Sequence, residues 1–384
     1  MDYFLTDYQK ALKNLAREIA EKEILPVRAK LDETGEFPWN IMKTLAKSDL
    51  FGVYIPEEYG GTNGGCFELC IVTEELSRIC GGVAVCYAAS ALGAFPILLF
   101  GDEEKKKKYL TPIAKGEKLA AFALTEPNAG SDAAAIETSA VKRGDEYILN
   151  GTKQWITNGG EAEIYTVIAK TDKTKGARGA SAFVVEKGTP GFGFGKKENK
   201  MGIRSSATRE LTFQDCVIPK KNLLAREGMG FIVAMKTFDQ SRPGVAAQAV
   251  GIAQGALDEA VNYARRRVQF GQPISSFQGI QHMLADMATQ VEASRALVYS
   301  SARMIDSGAS DVGKDSAMAK LFASDVAMKV TTDAVQILGG YGYMKDYPVE
   351  KMMRDAKITQ IYEGTNQIQK NIIALHLIRE ATPH

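Results

Sequence analysis

Glu363 is the side chain best mounted to take a proton. It stands between Tyr362 and Gly364-Thr365, ahead of the polar helix start Asn366-Gln367. That pattern predicts a short, rigid turn, which a general base needs in order to stay within hydrogen-bond reach of its proton. An acid at a helix start also complements the helix dipole, so Glu363 gains meaning only from other segments. Upstream lie the glycine-rich link Gly339-Gly340-Tyr341-Gly342 and a helical run through Arg354 and Asp355. Thr125 and Thr157 are short hydroxyls in polar turns, suited to hydrogen-bond a ligand or simply to close the turn. Arg267 ends the triple Arg265-Arg266-Arg267, a bidentate anion contact or part of a solvated helix face. Asp239 and Arg242 lie three apart, where a ligand contact and an i,i+3 salt bridge are both open.

Helical periodicity places these residues. Apolar positions from Phe4 to Ala20 make one helical face ending before Pro26, and a second helix is predicted over Pro38 to Ser48. Helical patterns resume from Phe67 through Leu99, with interruptions expected at Gly81-Gly82 and Pro96. The run Lys105 to Lys108, after Asp102-Glu103-Glu104, reads as a solvated helix face. Beyond about Lys118 the period changes to alternation. Tyr147-Ile148-Leu149 entering Asn150-Gly151 predicts a hairpin turn, and Ile164 to Ala169, Ala182 to Val185 and Glu210 to Phe213 read as strands. Gly191 to Gly195, GFGFG, lacks the strand-to-helix setting of a phosphate loop. After Gly230 the helices return. One stripe runs from Val245 to Ala264, and another takes Met318, Phe322, Val326, Val330, Ala334 and Leu338 up to Gly339. The fold class is therefore α+β. Its parts are a helical domain over 1–118, a β domain (barrel- or sandwich-like) over 119–222, and a helical bundle over 223–384.

Composition excludes several partners. Across 384 residues the formal charge is +1, which supplies no field for nucleic acid or an anionic membrane. No apolar run is expected to span a membrane, and no targeting segment is expected from the start Met1-Asp2-Tyr3. Cys66, Cys70, Cys80, Cys86 and Cys216 are expected as reduced thiols. His282, His376 and His384 are too scattered for a metal cluster, so no metal site is expected. No GxGxxG is present, which argues against a Rossmann unit.

Six segments, in order, resemble the acyl-CoA dehydrogenase family. They are FALTEPNAGSD from Phe122 to Asp132; Trp155-Ile156-Thr157-Asn158-Gly159; and Asp239 to Arg242 leading into VAAQAVGIAQGAL. The others are Arg267-Val268-Gln269-Phe270-Gly271 with Phe277-Gln278; Gln336 to Gly340; and Tyr362-Glu363-Gly364-Thr365. The resemblance runs essentially end to end. It implies an N-terminal helical domain, a middle β domain and a C-terminal four-helix domain holding FAD in a homotetramer. Glu363 would remove the proton next to the thioester, in a dry pocket that strengthens it as a base. The backbone N–H of Glu363 and a ribityl hydroxyl of FAD would stabilise the thioester oxygen. The hydride from the next carbon would pass to flavin N5. The resemblance assigns FAD to Phe122, Leu124, Thr125, Ser131, Trp155, Ile156, Thr157, Arg267, Phe270 and Gln278. Gln336, Gly339, Gly340, Thr365 and Gln367 complete that set, with the adenosine half of the cofactor reached across a subunit boundary. It assigns the substrate to Ser131, Asp239, Arg242 and Gly364.

In a subgroup acting on branched or long chains, the base precedes the arginine equivalent to Arg242. Here that position is Ser241, which cannot be a base, so the straight-chain placement at Glu363 is favoured. The predicted reaction forms a trans-2-enoyl-CoA from a short- or medium-chain acyl-CoA and delivers electrons to electron-transfer flavoprotein. The alternatives are a branched or alicyclic acyl-CoA, oxygen as acceptor, or a DNA-binding flavoprotein relative. The stretch Ala91 to Pro96 is expected at the acyl end of the pocket. The expected compartment is the cytoplasm, or the mitochondrial matrix for a processed form.

Overall fold

The computed structural model describes residues 3–381, so Met1, Asp2 and His384 lie outside the described residues. Six helices come first: α1 (Asp7–Ile19), α2 (Arg28–Thr34), α3 (Trp39–Lys47), α4 (Cys66–Ile79), α5 (Gly81–Phe100) and α6 (Glu103–Ala114). α1 starts where Thr6 and Gln9 cap each other reciprocally, at 3.2 and 3.0 Å. The lysine run lies on α6, where Lys105 and Lys106 pair with Asp102 and Glu103.

α5 departs from its expected interruptions. The break is Cys80, in extended geometry, and the helix then runs unbroken through Pro96. Gly81 and Gly93 are places of close approach rather than breaks. A Cβ on Gly81 would sit 2.8 Å from Ile252, and one on Gly93 2.5 Å from the Ala121 amide. Packing on both sides offsets the hydrogen bond that Pro96 removes. At 20 residues α5 is also long and apolar enough to cross a membrane, which corrects the expectation that no such run exists. Most of it is buried in the protein's own core.

Eight strands follow: β1 (Ala120–Ala123), β2 (Ser139–Arg143), β3 (Glu146–Thr157), β4 (Ile164–Lys170), β5 (Ala180–Glu186), β6 (Phe192–Lys197), β7 (Thr208–Pro219) and β8 (Leu223–Leu224). They form one sheet in the order β6-β7-β3-β2-β4-β5-β8, with β1 parallel to β4. The predicted turn at Asn150-Gly151 is absent. β3 runs straight through it, and the β2–β3 turn is Gly144-Asp145, with Gly144 at φ 62°. Gly151 instead marks a register shift against β7, where a Cβ would lie 2.7 Å from Thr138 Cα. An Asn-Gly pair serves a bulge as well as a turn. GFGFG is largely strand β6, with Phe192 stacked on Phe213 at 5.0 Å.

The C-terminal part comprises α7 (Gly230–Arg266), α8 (Gln278–Asp306), α9 (Gly313–Leu338), α10 (Val349–Thr359) and α11 (Asn366–Glu380), with a small hairpin β9 (Val268–Gln269) and β10 (Gln272–Pro273). Helices thus precede and follow a central sheet, as the change of period predicts. The α7 stripe from Val245 to Ala264 is buried as expected. On α9 Val326, Val330, Ala334 and Leu338 are buried as expected, but Phe322 is 41% exposed, and Ala319, Ala323 and Ala327 face inward in its place. Small residues let α9 approach α7 closely, and a phenylalanine on that face would hold the helices apart. The Asp306 carboxylate accepts from the Cys66 and Phe67 amides (2.7 and 2.8 Å), joining the end of α8 to the start of α4. All five cysteines are free and buried.

Candidate active site

Glu363 occupies the turn between α10 and α11. Its backbone is left-handed at φ 50°, followed by Gly364 at φ 91°. A non-glycine residue there costs about 1–3 kcal/mol and persists only where its surroundings impose it. α10 fixes the approach: Arg354 pairs with Asp32 at 2.7 Å, and the buried Lys351–Asp355 pair accepts the Ile203 amide at Asp355. On the other side Thr365 caps α11, its hydroxyl accepting from the Ile368 amide at 3.3 Å. The carbonyls of the turn are then taken one by one. Arg242 Nε and Gln369 Nε2 donate to the Glu363 carbonyl at 3.4 and 3.1 Å. Lys320 Nζ and Gln369 Nε2 donate to the Gly364 carbonyl, each at 2.8 Å.

The Glu363 carboxylate accepts from Ser241 Oγ at 2.5 Å. Loss of hydration pushes its pKa up, against the Ser241 hydrogen bond and the charges of Arg242 and Lys320. Among the described residues its backbone N–H has no acceptor. Burial lowers the Arg242 pKa, while Asp239, 3.4 Å away, opposes the shift. Burial also raises Asp239. The i,i+3 salt bridge anticipated for this pair is therefore formed.

Glu363 opens onto a cavity of about 120 Å³. α4, α5 and α7 supply an apolar wall that includes Leu69, Leu92, Phe95 and Phe238. Of the Ala91 to Pro96 stretch, Leu92 and Phe95 line it. The sheet supplies Phe122, Leu124, Thr125, Trp155, Ile156 and Thr157. β3 shifts register between Lys153 and Ile156, and Trp155 in that bulge is left-handed at φ 58°. The bulge turns the indole outward, leaving the residue 59% exposed. Asn158, also left-handed at φ 62°, anchors the strand end by donating to the Cys86 carbonyl at 3.0 Å. Beneath Thr125, the fully buried Lys153 donates to the Leu124 carbonyl (2.9 Å) and to Glu126 (2.7 Å). Burial brings the Lys153 pKa down to about 8, opposed by Glu126.

The remaining predicted residues fall elsewhere. Arg267, Gly339 and Gly340 line a second cleft of about 460 Å³, where the Arg267 guanidinium lies 5.2 Å from the Tyr341 ring centroid. Phe270, at the tip of the β9–β10 hairpin, is 94% exposed, and Gln278 and Gln336 are exposed too. Ser131 and Gln367 are exposed and line neither cavity. Sequence reasoning missed Ser241 as a donor to the carboxylate, and Lys320 and Gln369 as anchors of the turn. Only Lys320 carried a signal, a charge amid the small residues of α9. It also missed the chain in which Tyr362 donates to Gln248, and Gln248 to the Gly81 carbonyl (2.9 Å).

The cavity suits a planar aromatic cofactor. Among the described residues the Thr125 and Thr157 hydroxyls have no protein partner, although both residues line it beside an outward-turned indole. Two hydroxyls, a flat aromatic face and an apolar floor match the edge and face of a flavin ring.

Three family models match the chain in order: acyl-CoA dehydrogenase N-terminal domain over residues 6–117, middle domain over 121–216 and C-terminal domain over 228–378. The short-chain specific acyl-CoA dehydrogenase of Clostridium acetobutylicum is 50% identical over 380 residues, covering 99% of this chain and 100% of that protein. The structure of butyryl-CoA dehydrogenase from Megasphaera elsdenii matches with a TM-score of 0.96 at 50% identity, over 99% of this chain and 100% of the other. A chain from structural work on the electron transferring flavoprotein of Acidaminococcus fermentans, directed towards a mechanism of flavin-based electron bifurcation, matches with a TM-score of 0.97. It is 52% identical, over 99% and 100% of the two chains.

Proposed function

This chain belongs to the acyl-CoA dehydrogenase family, and on that premise we propose that it oxidises short-chain acyl-CoA thioesters with Glu363 as the base. It is an FAD-dependent acyl-CoA dehydrogenase. The observation carrying the mechanism is a part-buried carboxylate with a raised pKa, held on a multiply anchored turn and facing an apolar cavity. Glu363 takes the proton from the carbon next to the thioester carbonyl. Its free amide N–H is the donor for the oxygen on which negative charge then develops. Ser241 holds one carboxylate oxygen and so sets the direction of the other. The apolar wall excludes water from the reacting carbons. Hydride acceptance from the second carbon is the chemistry that bound FAD would supply. Phe122, Leu124, Thr125, Trp155, Ile156 and Thr157 would hold its ring; Thr365 and Gln367, outside the cavity lining, are assigned to FAD by the family resemblance alone.

A short acyl chain is supported by the lining of the cavity, where Tyr362 and Gln248 are joined by a hydrogen bond and a Cβ built on Gly244 would already touch Leu69 at 3.7 Å. Asp239, Ser131 and Gly364 are assigned to the path of the CoA moiety. Arg242, engaged with Asp239 and the Glu363 carbonyl, shapes that path from behind.

Arg267, Phe270, Gln278, Gln336, Gly339 and Gly340 gather away from the base, which supports an FAD site completed by a second copy in a homotetramer. Electron-transfer flavoprotein is the proposed acceptor, and the cytoplasm the proposed compartment. The domain limits 1–118, 119–222 and 223–384 are kept as part of this reading. Anaerobic bleaching of the flavin by acyl-CoAs from butyryl to palmitoyl, with isovaleryl and cyclohexanecarboxyl, tests it. Fastest bleaching by butyryl-CoA is expected. A palmitoyl or cyclohexanecarboxyl optimum would reject the short-chain assignment.

A further inference from the structure

Lys320 is a charged side chain that the proposed chemistry leaves without a task. It sits on the inward face of α9 with Ala319 and Ala323 and is fully buried. Among the described residues no carboxylate pairs with it. An alkyl side chain would fill the same space without desolvating a charge, so what Nζ holds becomes the question.

Nζ donates to the Gly364 carbonyl at 2.8 Å and to Asn366 Oδ1 at 3.0 Å. Asn366 is tied back to α9 by donating to Ser324 Oγ (2.9 Å) and Asp325 (2.7 Å). Lys320 therefore joins the middle of α9 to the residue after Glu363 and to the first residue of α11. That junction holds the two consecutive left-handed residues, of which only the glycine tolerates such a backbone freely. If the Gly364 carbonyl were released, the peptide plane between Gly364 and Thr365 would turn, and the Glu363 side chain with it. The charged groups facing Nζ are Glu363 from the turn, Arg242 from α7 and Asp325 from α9 itself. Burial brings the Lys320 pKa down to about 7; Glu363 opposes the shift, Arg242 adds to it and Asp325 opposes it.

We propose that Lys320 is a positioning residue for the base: it anchors the Glu363–Gly364 turn through the Gly364 carbonyl, and its positive charge favours Glu363 as carboxylate. It touches no reacting atom. The inference rests on the reading of Glu363 as the base.

The test compares the FAD-loaded parent with Lys320→Met, Lys320→Gln and Lys320→Arg. For each, flavin content, Kd for the non-oxidisable butyl thioether of CoA, and the bleaching rate by butyryl-CoA against pH are measured. Lys320→Met is expected to keep its flavin and to bind the thioether within about twofold of the parent, since Nζ lines no part of the substrate cavity. Its bleaching should slow by about 10- to 100-fold through misplacement of the base. Loss of the positive charge makes Glu363 harder to ionise, so the acid limb should move up by about one pH unit. Lys320→Gln should show the same displaced limb, and Lys320→Arg the parental one. A neutral variant with flavin bound, parental rate and parental acid limb would overturn the proposal. Failure of both neutral variants to hold flavin would overturn it as well, assigning Lys320 to folding of the α9–α11 seam. Glu363→Gln separates the two readings: parental bleaching in that variant would remove the base itself, whatever the lysine variants do.

Discussion

Two turns face each other across the cavity, and each is held from behind by a buried lysine. On the sheet side Lys153 grips the Leu124 carbonyl, next to Thr125; on the helical side Lys320 grips the Gly364 carbonyl, next to Glu363. They differ in company. Lys153 also meets a carboxylate, Glu126, which is itself satisfied by the Glu137 and Thr138 amides (2.6 and 3.0 Å). Lys320 meets only neutral oxygens, and the carboxylate that bears on it most is the base. A neutralised pair makes a fixed support, whereas an uncompensated charge beside a titrating acid shares that acid's equilibrium. The cofactor side is thus built to hold a shape, and the base side to hold a shape and a charge state together.

Changes on the two sides should therefore fail differently. The largest effect is expected at the base: Glu363→Gln should fold and keep its yellow flavin, yet lose about 10²- to 10⁴-fold or more in the rate of bleaching. Normal turnover by that variant in a steady-state assay would end the assignment. On the sheet side, Lys153→Met should act through stability and cofactor retention. It leaves Glu126 buried without its partner, at about 3–5 kcal/mol, read as a lower Tm and lost flavin. Should Lys153→Met instead keep its flavin and move the pH profile, the contrast between the turns would collapse.

Both lysines have depressed pKa values, so unfolding returns protons to them. Their contribution to stability is complete above pH 10.5 and is lost as pH falls towards about 8 for Lys153 and about 7 for Lys320. Thermal unfolding followed from pH 7 to 10 should show a smaller pH-dependent gain in Lys320→Met than in the parent; an unchanged slope would count against a charge at that position. Ser241→Ala should act on the base alone. Removing its hydrogen bond raises the Glu363 pKa further, and the acid limb of bleaching should move up by about half a unit to one unit with flavin content intact. The smallest expected change lies on α7 between the turns. Gly244→Ala fits 3.7 Å from Leu69 and should lower kcat/KM for hexanoyl-CoA about 3- to 10-fold relative to butyryl-CoA, as one methyl group in an apolar pocket does.

The same contrast runs through what the sequence made legible. Glu363, Thr125, Trp155 and Thr157 stand in short local patterns, and the structure brings them to one cavity. The succession of helices, sheet and helices followed from the change of period at about Lys118. The supports were less visible. Lys320 acts on a carbonyl 44 positions away, and a backbone acceptor leaves no trace in residue type. Asn150-Gly151 carried a strong turn signal, yet β7 pairing on both sides of the pair kept β3 extended and made it a bulge. Phe322 fitted a helical stripe by spacing, but α7 demanded small residues opposite it.

The unbroken length of α7 has a consequence of its own. Ser241, beside the base, lies on a rod of 37 residues that Arg267 caps at its C-terminal end, which sets the two about 39 Å apart. One dinucleotide cannot meet both within a single chain. On the proposed reading each cofactor is therefore shared between copies, and its retention obeys mass action. Diluted below the concentration at which copies separate, the protein should shed its flavin while every helix is still folded.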